Sequence, residues 1–208
     1  MPESKIALFG GTFDPIHLGH TEVADVAARR LEVDEVVFIP ARRSPLKGFG
    51  PRASDDDRLA MIALATQDNK RFRVSDCELR RNPPSYTIDT VRQFRDEVGP
   101  ETTIYWLLGA DSVAELAHWH RVDDLLDACH VAVMYRGGYE RPSFDCYLPR
   151  WGDKRIEKLQ KDVIETPSID ISSTEIRRRL AQGDDVSDML HPQVATYIAE
   201  HNLYERTR

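Results

Sequence analysis

The sequence predicts an α/β protein, a doubly wound parallel sheet forming a single domain with a small C-terminal helical part. Three observations lead there. Apolar runs of strand length alternate with stretches of helical periodicity from end to end. The first two strands bracket a helix, and such a βαβ unit implies a right-handed crossover between parallel strands. A turn rich in glycine and proline directly follows the first strand, where sheets of this class bind their ligands.

The elements follow in order. Lys5 to Gly10 reads as a buried strand, Leu18 to Leu31 as a helix with Val23, Val26, Ala27 and Leu31 near helical spacing, and Glu35 to Pro40 as the second strand. Residues 41 to 54 concentrate Arg, Lys, Gly and Pro and predict a mobile loop. Ser54 with Asp57 heads a capped helix to about Thr66. A strand is expected over Phe72 to Leu79, a helix over Thr87 to Val98, and a buried strand over Thr103 to Leu108. Short helices near Val113 to Ala117 and Val122 to Ala128 precede a strand from His130 to Tyr135. Gly137, Gly138, Pro142, Pro149 and Gly152 mark residues 137 to 155 as an irregular surface insertion, followed by a helix from Lys154 to Lys161 and a last strand, Val163 to Thr166. Ser172 and Glu175 have capping-box spacing ahead of Ile176 and Leu180, Gly183 suits that helix's end, and Pro192 suits the first turn of a closing helix.

Composition limits the function. The 208 residues are 41% hydrophobic and 30% charged, without long blocks of either kind, as in a globular protein. No run approaches the length of a membrane span and Met1 to Lys5 has no signal-peptide character, so a cytoplasmic protein without a membrane partner is expected. Three cysteines, Cys77, Cys129 and Cys146, are too few and too scattered for a disulfide framework or a zinc site. The net charge of -7 opposes a polyanion, so nucleic acid is not expected as a partner. A local basic pocket can still hold a small phosphorylated ligand.

The stretch GGTFDPIHLGH, residues 10 to 20, carries the chemistry. Gly10 and Gly11 let backbone approach a ligand, Pro15 stiffens the turn, and His17 and His20 share one face at the start of a helix. The helix N-terminus there favours an anion, and two imidazoles add directed donors. A phosphate-handling site is the natural inference. Metal ligation needs further ligands, and no third or fourth one has suitable spacing nearby. An unremarkable polar helix face is the other alternative, which the glycine and proline context argues against. The chain has no GxxxxGK[ST], complete GxGxxG or GxSxG, so it handles phosphate without those devices.

GGTFDPIHLGH together with the distant ISSTEIR, residues 171 to 177, resembles the HxGH nucleotidylyltransferases. YTIDT (86 to 90), LLGADSVAELAHWHRVDDLL (107 to 126) and the ending HPQVATYIAEHNLY extend the resemblance over nearly the whole length to the bacterial nicotinate mononucleotide adenylyltransferases. The resemblance implies a Rossmann-like fold and transfer of an adenylyl group from ATP to nicotinate mononucleotide, releasing pyrophosphate. It implies catalytic roles for His17, His20, Lys47 and Arg177. It places ATP on Gly10, Gly11, Thr12, Phe13, His17, His20, Gly109, Asp111, Ile171, Ser172, Ser173, Thr174 and Arg177. It places the mononucleotide on Lys47, Thr87, Trp119, which stacks on the pyridine ring, and Arg136. Mg²⁺ is expected on substrate phosphates, with no metal ligands from the protein. The family often has Pro-His-Lys where this chain has Pro45, Leu46 and Lys47, so Lys47 alone is carried over. Gly137 also stands where a proline commonly follows Arg136.

Three rivals differ in substrate or class. One is preference for nicotinamide mononucleotide, and another is a phosphopantetheine adenylyltransferase, which shares the HxGH and ISST regions but is shorter and has no use for Trp119. The third is a nucleotide-binding regulator without turnover, against which His17, His20, Lys47 and Arg177 all stand intact. A homo-oligomer is compatible with all of these.

Overall fold

The computed structural model describes residues 4–43 and 50–205. Its elements run β1 (Lys5–Gly11), α1 (Leu18–Leu31), β2 (Glu35–Pro40), α2 (Asp55–Thr66), β3 (Phe72–Val74), α3 (Cys77–Arg80), α4 (Thr87–Val98) and β4 (Thr103–Gly109). They continue with α5 (Val113–Leu116), α6 (Val122–Ala128), β5 (His130–Arg136), α7 (Leu148–Lys161), β6 (Val163–Thr166), α8 (Ser173–Leu180) and α9 (Pro192–Glu200). The strands form one all-parallel sheet in the order β3-β2-β1-β4-β5-β6. This is the doubly wound α/β architecture read from the sequence, with helices α8 and α9 at the C-terminal end.

Strands covered on both faces need near-continuous apolar runs. IALF of β1, VVFI of β2, IYWLL of β4 and VAVM of β5 are such runs, and every residue in them is buried. Parallel register aligns Leu8 with Trp106, Gly109 with Met134, and Arg136 with Thr166. The order reverses between β1 and β4, which sets their carboxyl ends, at Gly10 and Gly109, at the sheet's switch point.

The chain packs as two compact units that divide β2 between them. One comprises Met1–Gly10, Val23–Val37 and Tyr86–Ser168; the other comprises Gly11–Glu22, Phe38–Ser85 and Ile169–Arg208. In the first, α4 buries Ile88, Val91 and Phe94 at helical spacing, and Arg155 of α7 bonds Asp123 and Asp127 of α6 at 3.1 and 2.7 Å. In the second, Ser54 caps α2 by accepting from the Asp57 N–H, and the Tyr197 hydroxyl of α9 donates to Asp57 Oδ1 at 3.0 Å.

Two elements depart from the sequence reading. The strand expected over Phe72 to Leu79 ends at Val74. Ser75 N–H still bonds the Phe38 carbonyl, but Leu79 and Arg80 N–H then turn back to the Asp76 carbonyl. The Arg80 guanidinium also bonds the Asp76 carboxylate at 2.7 Å, so local hydrogen bonds and an i,i+4 pair form α3 where a ladder was expected. The second departure is α7, which begins inside the expected insertion. Pro149 suits its first turn, and Gly152 at φ 71° and ψ 168° kinks it between two helical pieces. Glycine and proline there punctuate a helix instead of forming a loop.

Candidate functional site

From Gly11 onward the histidine turn lies within the second unit. After Gly11 the chain reverses through Phe13, a non-glycine residue at φ 48°, and enters α1 at Leu18. His17 and His20 stack with ring centroids 3.7 Å apart and planes 27° apart, and Phe13 meets His20 edge-on at 5.0 Å. The His17 backbone N–H donates to His20 Nδ1 at 3.3 Å, which in a neutral ring leaves the proton on Nε2. His17 is buried at 7% exposure, and burial pushes its pKa down to about 4, so it is a neutral imidazole at working pH. Its Nδ1 has no protein partner. Gly19 gives this pair room, because a Cβ there would sit 3.0 Å from His17 Nδ1.

The two leading glycines also have a packing cause, beside the ligand approach expected. A Cβ on Gly10 would meet the Trp106 ring at 2.5 Å, and one on Gly11 would meet Phe13 Cζ at 2.8 Å. Aromatic side chains occupy the space those glycines leave.

ISSTEIR belongs to the same unit and is tied to the turn. Ser172 caps α8 by accepting from Glu175 N–H at 3.2 Å. The Ser173 hydroxyl donates to the Pro15 carbonyl at 2.9 Å. Arg177 donates from Nη1 to the Asp14 carbonyl at 2.6 Å and from Nη2 to Thr174 Oγ1 at 3.3 Å, while its Nε is buried without a partner. Ile171 precedes the cap and is half-buried. Arg177 therefore braces the turn in addition to the anion contact the resemblance implies.

The residues assigned to the mononucleotide and ribose side lie in the first unit. β4 ends in Gly109, and the Asp111 carboxylate folds over it into the space a Cβ would take. Tyr86, just before Thr87, stacks on His120 at 4.2 Å and 29°, which brings the N-terminus of α4 and the segment carrying Trp119 together. Trp119 is half-buried and its Nε1 has no partner. Arg136 stands exposed at the end of β5. Lys47 lies outside the described residues.

A family model described as cytidylyltransferase-like matches residues 8–179, a span that includes both the histidine turn and ISSTEIR. A protein of Neisseria meningitidis serogroup B named "Probable nicotinate-nucleotide adenylyltransferase" is 42% identical over 202 residues, covering 97% of this chain and 99% of that one. The chain belongs to this family. A protein of the same name from Pectobacterium atrosepticum is 40% identical over 212 residues, with 97% and 99% covered. Among solved structures, a nicotinic acid mononucleotide adenylyltransferase of Plasmodium falciparum, complexed with NaAD, superposes with a TM-score of 0.73 over 97% of each chain at 21% identity, which supports the Rossmann-like fold. As a member of the nicotinate-nucleotide adenylyltransferases the chain is a nucleotidyltransferase.

Three residues of this family member escaped the sequence reading. Asp14, buried at 4% exposure, accepts from Arg52 N–H (2.8 Å), Ala53 N–H (3.1 Å) and the Tyr204 hydroxyl (2.7 Å). Arg58, fully buried, donates to the Thr12 carbonyl at 2.8 Å and to Asp55 Oδ1 at 2.6 Å. Arg58 did carry a signal: it stands three and four residues before Met61 and Ile62, on the apolar stripe of α2. An arginine on a core-facing stripe has a buried acceptor to satisfy. Tyr204 carried none, being a tyrosine in a polar C-terminal segment.

Proposed function

We propose that the protein joins ATP and nicotinate mononucleotide, forming nicotinate adenine dinucleotide (deamido-NAD) and pyrophosphate, as a cytoplasmic step of NAD biosynthesis, with residues 1–208 acting as one catalytic domain. The observation that carries this is the stacked His17–His20 pair on a turn braced by ISSTEIR, in a chain about 40% identical to nicotinate-nucleotide adenylyltransferases over nearly its whole length.

In this reading an oxygen of the mononucleotide's phosphate attacks the α-phosphorus of ATP, a P–O bond forms, and the bond to the bridging oxygen breaks as pyrophosphate leaves. The nucleophile is already ionised at neutral pH, so no general base is needed. The protein's work is alignment and stabilisation of charge shifting onto the phosphate oxygens. A neutral His17 and the Nε2–H of His20 supply hydrogen bonds directed at the α-phosphate. The first turn of α8, with Ser172 to Thr174, offers N–H groups and hydroxyls to the β- and γ-phosphates. Arg177 adds positive charge there while holding Asp14. Trp119, with an apolar face and a half-buried setting, stacks on the pyridine ring, and Thr87 and Arg136 meet its carboxylate and the mononucleotide phosphate.

Among the described residues no group of three or more His, Cys, Asp or Glu side chains converges as a metal cage. Mg²⁺ carried on the substrate phosphates and water would neutralise charge on the leaving pyrophosphate.

The test is pyrophosphate release by the purified protein with ATP and either nicotinate or nicotinamide mononucleotide. A higher kcat/KM for the acid is expected. Equal or greater efficiency with the amide would change the substrate, and no release with either would remove the reading.

A further inference from the structure

The buried carboxylate of Asp14 collects three donors from distant parts of the chain. Arg52 and Ala53 N–H come from the loop that follows Lys47, and the Tyr204 hydroxyl comes from 190 residues further along. Asp14 is also three residues before His17, and its carbonyl is the one gripped by Arg177. A single buried side chain thus joins the histidine turn, residues 52 and 53 ahead of α2, and the C-terminal segment, all within one compact unit.

From this geometry we infer that Tyr204 is a positioning residue for adenylyl transfer: its hydroxyl, by fixing the Asp14 carboxylate, sets the turn that aims His17 and His20. The inference rests on the adenylyl-transfer reading above. The Tyr204 hydroxyl bonds the Asp14 carboxylate, and through it acts on the turn. Burial and the adjacent Asp14 charge push the phenol's pKa up, so it remains a donor throughout the physiological range. Without that hydroxyl, a buried carboxylate loses one of three donors and the turn loses its link to the C-terminal segment. A displacement of about 1 Å in a catalytic group can cost on the order of 10² in rate, so a fraction of that shift has a measurable effect.

Tyr197 supplies the control. Its hydroxyl also donates to a carboxylate, Asp57 at 3.0 Å, in the same unit, and not to Asp14. The experiment compares Tyr204→Phe with Tyr197→Phe, measuring melting temperature, kcat and KM for both substrates, and the imidazole ¹H–¹⁵N signals of His17 and His20. Tyr204→Phe is expected to lower kcat about tenfold with each KM held within about twofold, and to shift both ring signals. Tyr197→Phe is expected to lower the melting temperature comparably and leave kcat and the ring signals unchanged. Wild-type kcat and unshifted rings in Tyr204→Phe would overturn the inference, as would equal kcat losses in the two variants. If the wild-type protein releases no pyrophosphate, the functional reading fails, and the ring signals alone still decide whether Tyr204 sets the histidine pair.

Discussion

Residues 12–20 are held by several charged and polar side chains, whereas residues 117–120 are held by a ring stack, backbone turns and one arginine. The first stretch is fixed by Arg58 on the Thr12 carbonyl, Arg177 on the Asp14 carbonyl, Ser173 on the Pro15 carbonyl, and three donors on the Asp14 carboxylate. The second is fixed by the His120–Tyr86 stack, by Arg150 on the Ala117 carbonyl at 2.8 Å, and by local turns such as Trp119 N–H to Leu116. Directed bonds to buried groups allow one geometry, and losing one leaves an unsatisfied partner. Ring stacking depends less on direction.

The largest effect expected from breaking the rigid side is on rate. His20→Ala should lower kcat by about 10² to 10³ while the protein stays folded, as for loss of one well-placed donor to a developing charge. Steady-state kinetics beside a circular dichroism spectrum checks this, and near-normal turnover would refute the role of His20.

Acid should loosen the same region next. Burial lowers the His17 pKa to about 4 in the folded state from 6.5, so between those values the unfolded chain binds the extra proton. The stabilising contribution is complete above about pH 6.5, declines as pH falls, and is exhausted near pH 4, amounting to about 3 kcal/mol. Urea unfolding from pH 7.5 to 4 measures it, and His17→Asn should flatten that part of the curve.

Arg58→Leu should destabilise by about 2 to 3 kcal/mol, because the Thr12 carbonyl is left without its buried donor. A denaturation midpoint equal to wild type would show that the turn does not depend on Arg58.

The aromatic side is expected to respond most gently and only in binding. Trp119→Ala should raise KM for the mononucleotide roughly tenfold, within the 1 to 3 kcal/mol typical of a base stacked on an aromatic side chain, and leave KM for ATP little changed. Equal increases for both substrates would remove the contrast between the two regions.

Much of this was legible from local patterns. Continuous apolar runs identify β1, β2, β4 and β5, and Ser54 and Ser172 are the caps their spacing indicates. The histidine pair was legible because its residue types carry chemistry at short spacing, and ISSTEIR as a helix cap by spacing and as a site motif through the family resemblance. The Phe72–Leu79 strand was misjudged because an Asp76–Arg80 pair, four residues apart, favours a helical turn that an apolar count does not register. The glycines were recognised as necessary, but the rings that require Gly10 and Gly11 are those of Trp106 and Phe13, and the Trp106 contact is far apart in sequence.

The sequence by itself determined the succession of most strands and helices along the chain and the two caps, because each depends on side-chain period or on groups a few residues apart. Only the tertiary structure decided that His17 is neutral, that Asp14 gathers donors from residues 52, 53 and 204, and that Arg177 braces the turn it helps to form. Those properties depend on burial and on bonds spanning up to 190 residues, and neither is written in any local pattern.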